Sequence, residues 1–161
     1  MADGMLADRP VAGRFDGKRH LFPIRVYYED TDAGGIVYHA NYLRFAERAR
    51  TEMMRVAGVG DGPLLDTHGV QFVVHRCAAE FKRPARLDDA LVIDSRISAV
   101  TGATVEITQD VLRAADPTRT DPTCDDFLNL AALSLRLVTL DRQLKPARLP
   151  RALRAVVSAY L

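Results

Sequence analysis

The chain has 161 residues, of which 48% are hydrophobic and 27% charged, and its formal net charge is +1. That length supports one domain with a sizeable core, and the near-neutral balance excludes broad nucleic-acid binding driven by charge alone. No apolar run approaches the ~18–20 residues of a membrane-spanning helix, and the opening MADGMLADRPVAGRFDGKRH lacks the apolar stretch of a secretory signal.

Residues 1–20 are expected to form a flexible N-terminal arm and residues 21–161 a single domain. The two cysteines, Cys77 and Cys124, sit in no C-x-x-C pair. Two such thiols make no disulfide framework, which fits a reduced, cytoplasmic setting. Cys77 falls in a strand-like run and reads as core; Cys124 falls in a polar loop with no general base beside it in sequence.

In chain order, residues 22–28 (FPIRVYY) are β-prone and give a first strand, and residues 36–38 give a short extended piece. The clearest helix runs over 41–57. Tyr42, Phe45, Ala46, Ala49, Met53 and Val56 recur at spacings of three and four and form one apolar stripe. Asn41 is the expected N-cap, and Gly58, Gly60, Gly62 and Pro63 end the helix.

Three strands follow. Residues 70–82 alternate only partly. Residues 91–100 place Leu91, Ile93, Ile97 and Ala99 on one face. Residues 103–112 alternate cleanly and read as a half-buried antiparallel strand, joined to the previous one by a hairpin through Val100, Thr101 and Gly102. Two Asp-Pro pairs make 114–126 a loop. A last strand over 127–140 changes parity near Ala131 and Ala132, which predicts a bulge there. Residues 150–161 suit a short helix. One long helix can bury its stripe only against the sheet, so the class is α+β.

Between the first strand and the helix lies EDTDAGGIVYHANY, residues 29–42. Glu29, Asp30 and Asp32 precede two glycines, and His39 precedes the helix. Asp favours turns, so Asp32 reads as a turn former as readily as a reactive group. Glu29, Asp30, Asp32 and His39 have side chains suited to a metal, but their spacing matches no metal site, so none is expected. His68 and His75 have no evident partner in sequence and read as structural.

The longer stretch RVYYEDTDAGGIVYHANYLRFAERARTEMMR resembles the active-site signature of the 4-hydroxybenzoyl-CoA thioesterase family, and most of all its YbgC type, the acyl-CoA thioesterases associated with the Tol-Pal system. The resemblance continues through FVVHRCAAEFKRPARLDDALVIDSRI, TGATVEITQDVLR and DRQLKPARLP, covering roughly residues 22–154. It implies a hotdog fold: one long central helix wrapped by a curved antiparallel sheet of about five strands. It also implies a homo-oligomer, dimer or tetramer, with active sites at subunit interfaces. The implied reaction is hydrolysis of a short- to medium-chain or aromatic acyl-CoA to free acid and thiol, without cofactor; an acyl carrier protein is the alternative donor. The implied place is the cytoplasm, with peripheral contact at the inner membrane as a variant.

Carried onto this sequence, the resemblance makes Asp32 the catalytic carboxylate, either as nucleophile or as general base to water. Backbone N–H groups of His39, Ala40 and Asn41, leading into the helix, would hold the developing oxyanion. Gly34 and Gly35 let the preceding loop turn tightly. His39 would hydrogen-bond substrate or Asp32, or simply cap and pack. It agrees with the YbgC type, where benzoyl-type enzymes carry an aromatic residue. Glu47 is the alternative base, because other hotdog thioesterases use a helix glutamate; an i,i+3 pair with Arg50 is the preferred reading of it. Lys82, Arg83, Arg86 and Arg148 suit the phosphates of coenzyme A, against the plain reading of solvated turns. Two other readings stand beside hydrolysis. One is a non-catalytic acyl-binding or scaffold protein of the Tol-Pal system. The other is a hotdog dehydratase acting on hydroxyacyl thioesters.

Overall fold

The computed structural model describes residues 10–59, 63–115 and 126–161. Six strands form one antiparallel sheet in the order β1-β2-β4-β5-β6-β3. They are β1 (Arg14–Asp16), β2 (Arg19–Arg25), β3 (Gln71–Phe81), β4 (Ala90–Val100), β5 (Thr104–Ala114) and β6 (Phe127–Leu140). Three helices accompany them: α1 (His39–Val56), α2 (Leu64–His68) and α3 (Arg151–Ala159). The long helix α1 packs on β2, β4 and β5. This is the α+β layer arrangement that the patterns predict, with one strand more than expected.

The extra strand comes from the segment expected to be a loose arm. Arg14 pairs with Leu21, and Asp16 with Arg19, across a two-residue turn at Gly17 and Lys18. Gly17 has φ +58, the left-handed conformation such a hairpin turn requires. The domain therefore includes residues 14–20, because β1 and the start of β2 satisfy their backbone groups on the sheet. Residues 1–9 of the arm lie outside the described residues, as do the central part of the 114–126 loop, Cys124, Gly60 and Gly62. The short helix α2 had no periodic signal at all.

The stripe on α1 is buried as expected at Tyr42, Phe45, Ala46, Ala49 and Met53, whereas Val56 is 40% exposed at the last turn. Gly58 at φ +83 ends the helix. The core divides in two. One cluster sits under the first half of α1, around Phe45, Ile93, Leu130 and Leu133. The other sits under its second half and α3, around Met53, Ile107, Leu137, Leu153 and Val157.

Each long strand pair carries an irregularity. Val111 pairs with Ala131 but Leu112 with Asn129, so Leu130 is the extra residue, and Leu130 and Ala131 are both buried. The bulge expected near Ala131 is therefore one residue earlier. In β4 the shift lies between Ile97 and Ala99, which puts Ala99 opposite Glu106 and off the face it was expected to share with Ile97. In β3 His75 is passed over between Val74 and Arg76, which accounts for the imperfect alternation there.

Candidate active site

The acidic turn begins on a single turn of 3-10 helix, Tyr28–Asp30. Asp30 is buried, and its Oδ2 accepts the Tyr27 N–H at 2.8 Å. Its carbonyl accepts both the Tyr38 N–H and the Asn41 side-chain N–H, each at 2.9 Å. Asp30 is thus a structural anchor rather than a free carboxylate.

Thr31 bridges to Val37, and Asp32 N–H donates to the Ile36 carbonyl at 2.9 Å. The residues between form a tight hairpin tip. Asp32 sits on one side of it; the other side enters α1 directly after Tyr38. The Gly34 N–H donates to Asp32 Oδ1 at 2.8 Å, the side-chain turn that Asp favours. Gly35 closes the tip at φ +73, where an L side chain is strained. The Asp32 carboxylate is exposed and takes part in no ion pair among the described residues.

The helix start corrects one expectation. Tyr38, not Asn41, is the N-cap, and it makes no side-chain capping bond. Asn41 lies inside the first turn: its side chain is committed to Asp30, and its N–H donates to the Tyr38 carbonyl at 2.8 Å. That leaves the N–H groups of His39 and Ala40 without an acceptor among the described residues, as the first amides of a helix are. Of the three amides expected to face a substrate, those of His39 and Ala40 are open and that of Asn41 is not.

The His39 ring makes no hydrogen bond among the described residues. It lies against Tyr38 (ring centroids 4.4 Å apart) and edge-on to Phe81 (6.2 Å), and Phe81 in turn meets Tyr42 at 5.5 Å. Sequence reading missed this aromatic wall. Tyr38 and Tyr42 flank His39 in the motif and were the available signal; Phe81 arrives from another strand. The Tyr42 phenol accepts the Ala85 N–H at 2.9 Å, and burial pushes its pKa up. The Ala85 carbonyl accepts the Val37 N–H, also at 2.9 Å. The 82–86 segment is therefore tied to the hairpin tip and to α1.

That tie brings Lys82, Arg83 and Arg86 to the Asp32 end, all with exposed side chains. Arg148 is not brought there within one protomer. Its neighbour Leu149 donates to the Gly102 carbonyl, in the β4–β5 hairpin at the opposite end of the sheet. Strands of 11 residues span roughly 35 Å. Glu47 lies about 12 Å along α1 from His39 by helical rise and is ion-paired with Arg50, the pairing weighed against a base role. No group of three or more His, Cys, Asp or Glu able to hold a metal occurs among the described residues.

The sequence model of the Thioesterase superfamily matches residues 34–119, more than half of the chain. The chain belongs to that superfamily. It is 38% identical over 135 residues to the acyl-CoA thioesterase YbgC of Haemophilus influenzae, covering 83% of this chain and 90% of that one. It is 48% identical over 93 residues to the acyl-CoA thioester hydrolase YbgC of Escherichia coli O157:H7, covering 58% and 69% of the two chains. Among solved structures, a probable thioesterase from Bartonella henselae is 34% identical with a TM-score of 0.67, over 82% of this chain and 99% of that one. The 1,4-dihydroxy-2-naphthoyl-CoA thioesterase of Synechocystis shares the fold at 17% identity and a TM-score of 0.74, over 87% and 96%. The hotdog architecture expected from the sequence is thus the one these thioesterases share. No helix among the described residues is long and apolar enough to cross a membrane.

Proposed function

We propose that this protein is an acyl-CoA thioesterase that hydrolyses short- to medium-chain acyl thioesters, with Asp32 as its reactive carboxylate. The observation that carries the reading is the exposed Asp32 carboxylate, fixed by Gly34 on a hairpin that runs straight into the open N-terminus of α1. The carboxylate faces the carbonyl carbon as nucleophile, or takes the proton of a water that attacks it. The carbonyl oxygen then gains charge, and the His39 and Ala40 N–H groups, backed by the helix dipole, receive it. The C–S bond breaks, and the thiolate leaves and takes up a proton; in the nucleophilic route water then cleaves the acyl–Asp32 anhydride and frees the carboxylate, and by either route the acyl group ends as the free acid. His39 and its aromatic neighbours position the acyl end, while Lys82, Arg83 and Arg86 meet the phosphates of coenzyme A as solvated contacts.

The working unit in this reading is a homo-oligomer. Strand β3 is an edge strand of 11 residues, exposed along nearly its whole length and free of proline. A long bare edge of this kind invites a further strand, and a second copy paired antiparallel across a two-fold axis supplies it.

The test is thiol release from acetyl- through palmitoyl-CoA and benzoyl-CoA, with the same acyl groups on an acyl carrier protein as competing donors. Release from the coenzyme A thioesters supports the reading. Release only from the carrier protein moves the donor, and no release from any thioester by folded protein defeats the proposal.

A further inference from the structure

Three features of the structure lie in one line. Paired residues of antiparallel strands share a face, so Val74, Cys77 and Phe81 lie on the same face as Leu137, Leu135 and Ala131, the face that carries α1. They are nonetheless exposed, because α1 packs chiefly on β2, β4 and β5 and meets β3 at Phe81. An apolar trough therefore runs beside α1. At its near end Phe81 meets His39 and Tyr42. Next comes a hollow of about 280 Å³ between Leu43, Cys77 and Leu135. Beyond that is a cavity of about 630 Å³, walled by Met54, Phe72, Ile97 and Leu137, within the size range of small-molecule sites.

The hollow and the cavity share three lining residues: Glu47, Arg50 and Val74. Arg50 is a charged side chain only 9% exposed. It is immobilised from below, donating to Gln109 Oε1 at 2.6 Å, while the Gln109 amide donates to the Ala46 carbonyl at 3.0 Å and to Ser95 Oγ at 2.9 Å. Glu47 is the other half of the pair, with a side chain 61% exposed. One member is buried and tied to Gln109, and the other is largely exposed.

Resting on the thioesterase reading above, we propose that the α1–β3 trough is the acyl channel and that the Glu47–Arg50 ion pair is a partition setting acyl length. A short acyl group ends in the hollow before the pair. A longer one reaches the cavity only by displacing the Glu47 carboxylate from Arg50, which sets the loss of a charge-assisted bond against the burial of its extra methylenes. The expected selectivity is for short, unbranched acyl groups, with the cavity as reserve space that the pair keeps closed.

The experiment compares kcat/KM for dodecanoyl-CoA and butanoyl-CoA in the unaltered protein, Glu47→Ala, Glu47→Gln, and Glu47→Ala combined with Met54→Trp. Both single variants are expected to raise the dodecanoyl-to-butanoyl ratio by about tenfold or more, the scale on which pocket walls discriminate chain length. Met54→Trp, which fills the cavity beyond the partition, is expected to cancel that gain. An unchanged ratio in both Glu47 variants overturns the partition. Equal loss on both substrates, with one limb of the pH profile gone, overturns it in favour of Glu47 as a base. A ratio that rises but ignores Met54→Trp overturns the channel's course into the cavity. If the unaltered protein releases thiol from neither substrate, the proposed function itself fails and the channel with it.

Discussion

The Gly34 N–H and the Asp32 Oδ1 are 2.8 Å apart, and this bond aims the one carboxylate that the proposed reaction needs. A Cβ built on Gly34 would stand 3.0 Å from the same oxygen, while Gly34 itself does not have a positive φ. Gly34→Ala should therefore leave the backbone content and push the carboxylate by a few tenths of an ångström. The expectation is a fall in kcat of about tenfold or more, as small displacements of reacting groups produce, with Tm nearly unchanged. Gly35→Ala acts differently. Nothing lies near its Cβ, but φ is +73, so it should cost about 1–2 kcal/mol of stability. Steady-state kinetics and thermal melts of the two variants check the contrast.

Arg50 and Gln109 form the polar seam between the two halves of the core. Gln109→Leu removes the buried acceptor and leaves the guanidinium short of a partner. It should lower stability by about 1.5–3 kcal/mol, the range for a hydrogen bond to a charged group. Adding Arg50→Met should recover part of that loss, since taking away both polar partners is less damaging than taking one. Urea titrations of the two single variants and the double variant measure the coupling; simple additivity would contradict the seam.

Acid should weaken the fold in two stages. Burial holds the His20 imidazole below its ordinary 6.5; its Nε2 meets the Ala12 carbonyl at 3.0 Å, and its Nδ1 has no partner among the described residues. The unfolded chain then binds the proton more readily, so this stabilisation is complete above pH 6.5 and is lost as pH falls toward the folded value. At Asp94, burial alone would raise the carboxyl, but hydrogen bonds from Arg96 and Arg19 more than offset it and hold it below 3.8. Its contribution is present above 3.8 and is lost at lower pH. Unfolding midpoints measured across this range should show both stages, and His20→Gln should erase only the upper one.

The β3 edge gives a separate test of assembly. Successive residues of a strand direct their N–H groups to opposite sides of the strand, so Ala78→Pro and Ala79→Pro remove one inward and one outward donor between them. The outward one should shift the protein to monomer in sedimentation with its secondary structure kept, and the inward one should damage the β3–β6 ladder. A protein that is monomeric before any substitution would contradict a paired edge.

Much of this architecture was legible because burial and periodicity agree. The Tyr42–Met53 stripe of α1 and the Val105, Ile107 and Val111 face of β5 are buried where their spacing puts them. The β1–β2 hairpin was legible in principle from Asp16-Gly17, but three residues of strand carry too little alternation to stand out. Asn41 was misread because asparagine caps helices well; here a tertiary bond to Asp30 claims its side chain. For Arg50 the i,i+3 pair with Glu47 was legible and forms, but its burial was not. An arginine on a helix looks solvated until the sheet supplies Gln109 from 59 positions away. The same limit applies to the site. The motif marks Asp32, Gly34 and His39 together, but only folding brings Phe81 and the 82–86 segment to them and carries Arg148 to the other end.

Asp32 as the reactive group is the central claim, and thiol release from the best acyl-CoA substrate by unaltered protein and Asp32→Asn side by side tests it most directly. Asparagine keeps the shape and the side-chain carbonyl that Gly34 needs, so circular dichroism and Tm should match. Turnover should fall by at least about 100-fold, the lower range for losing a catalytic acid or base. A folded Asp32→Asn protein that releases thiol at the unaltered rate would contradict the account.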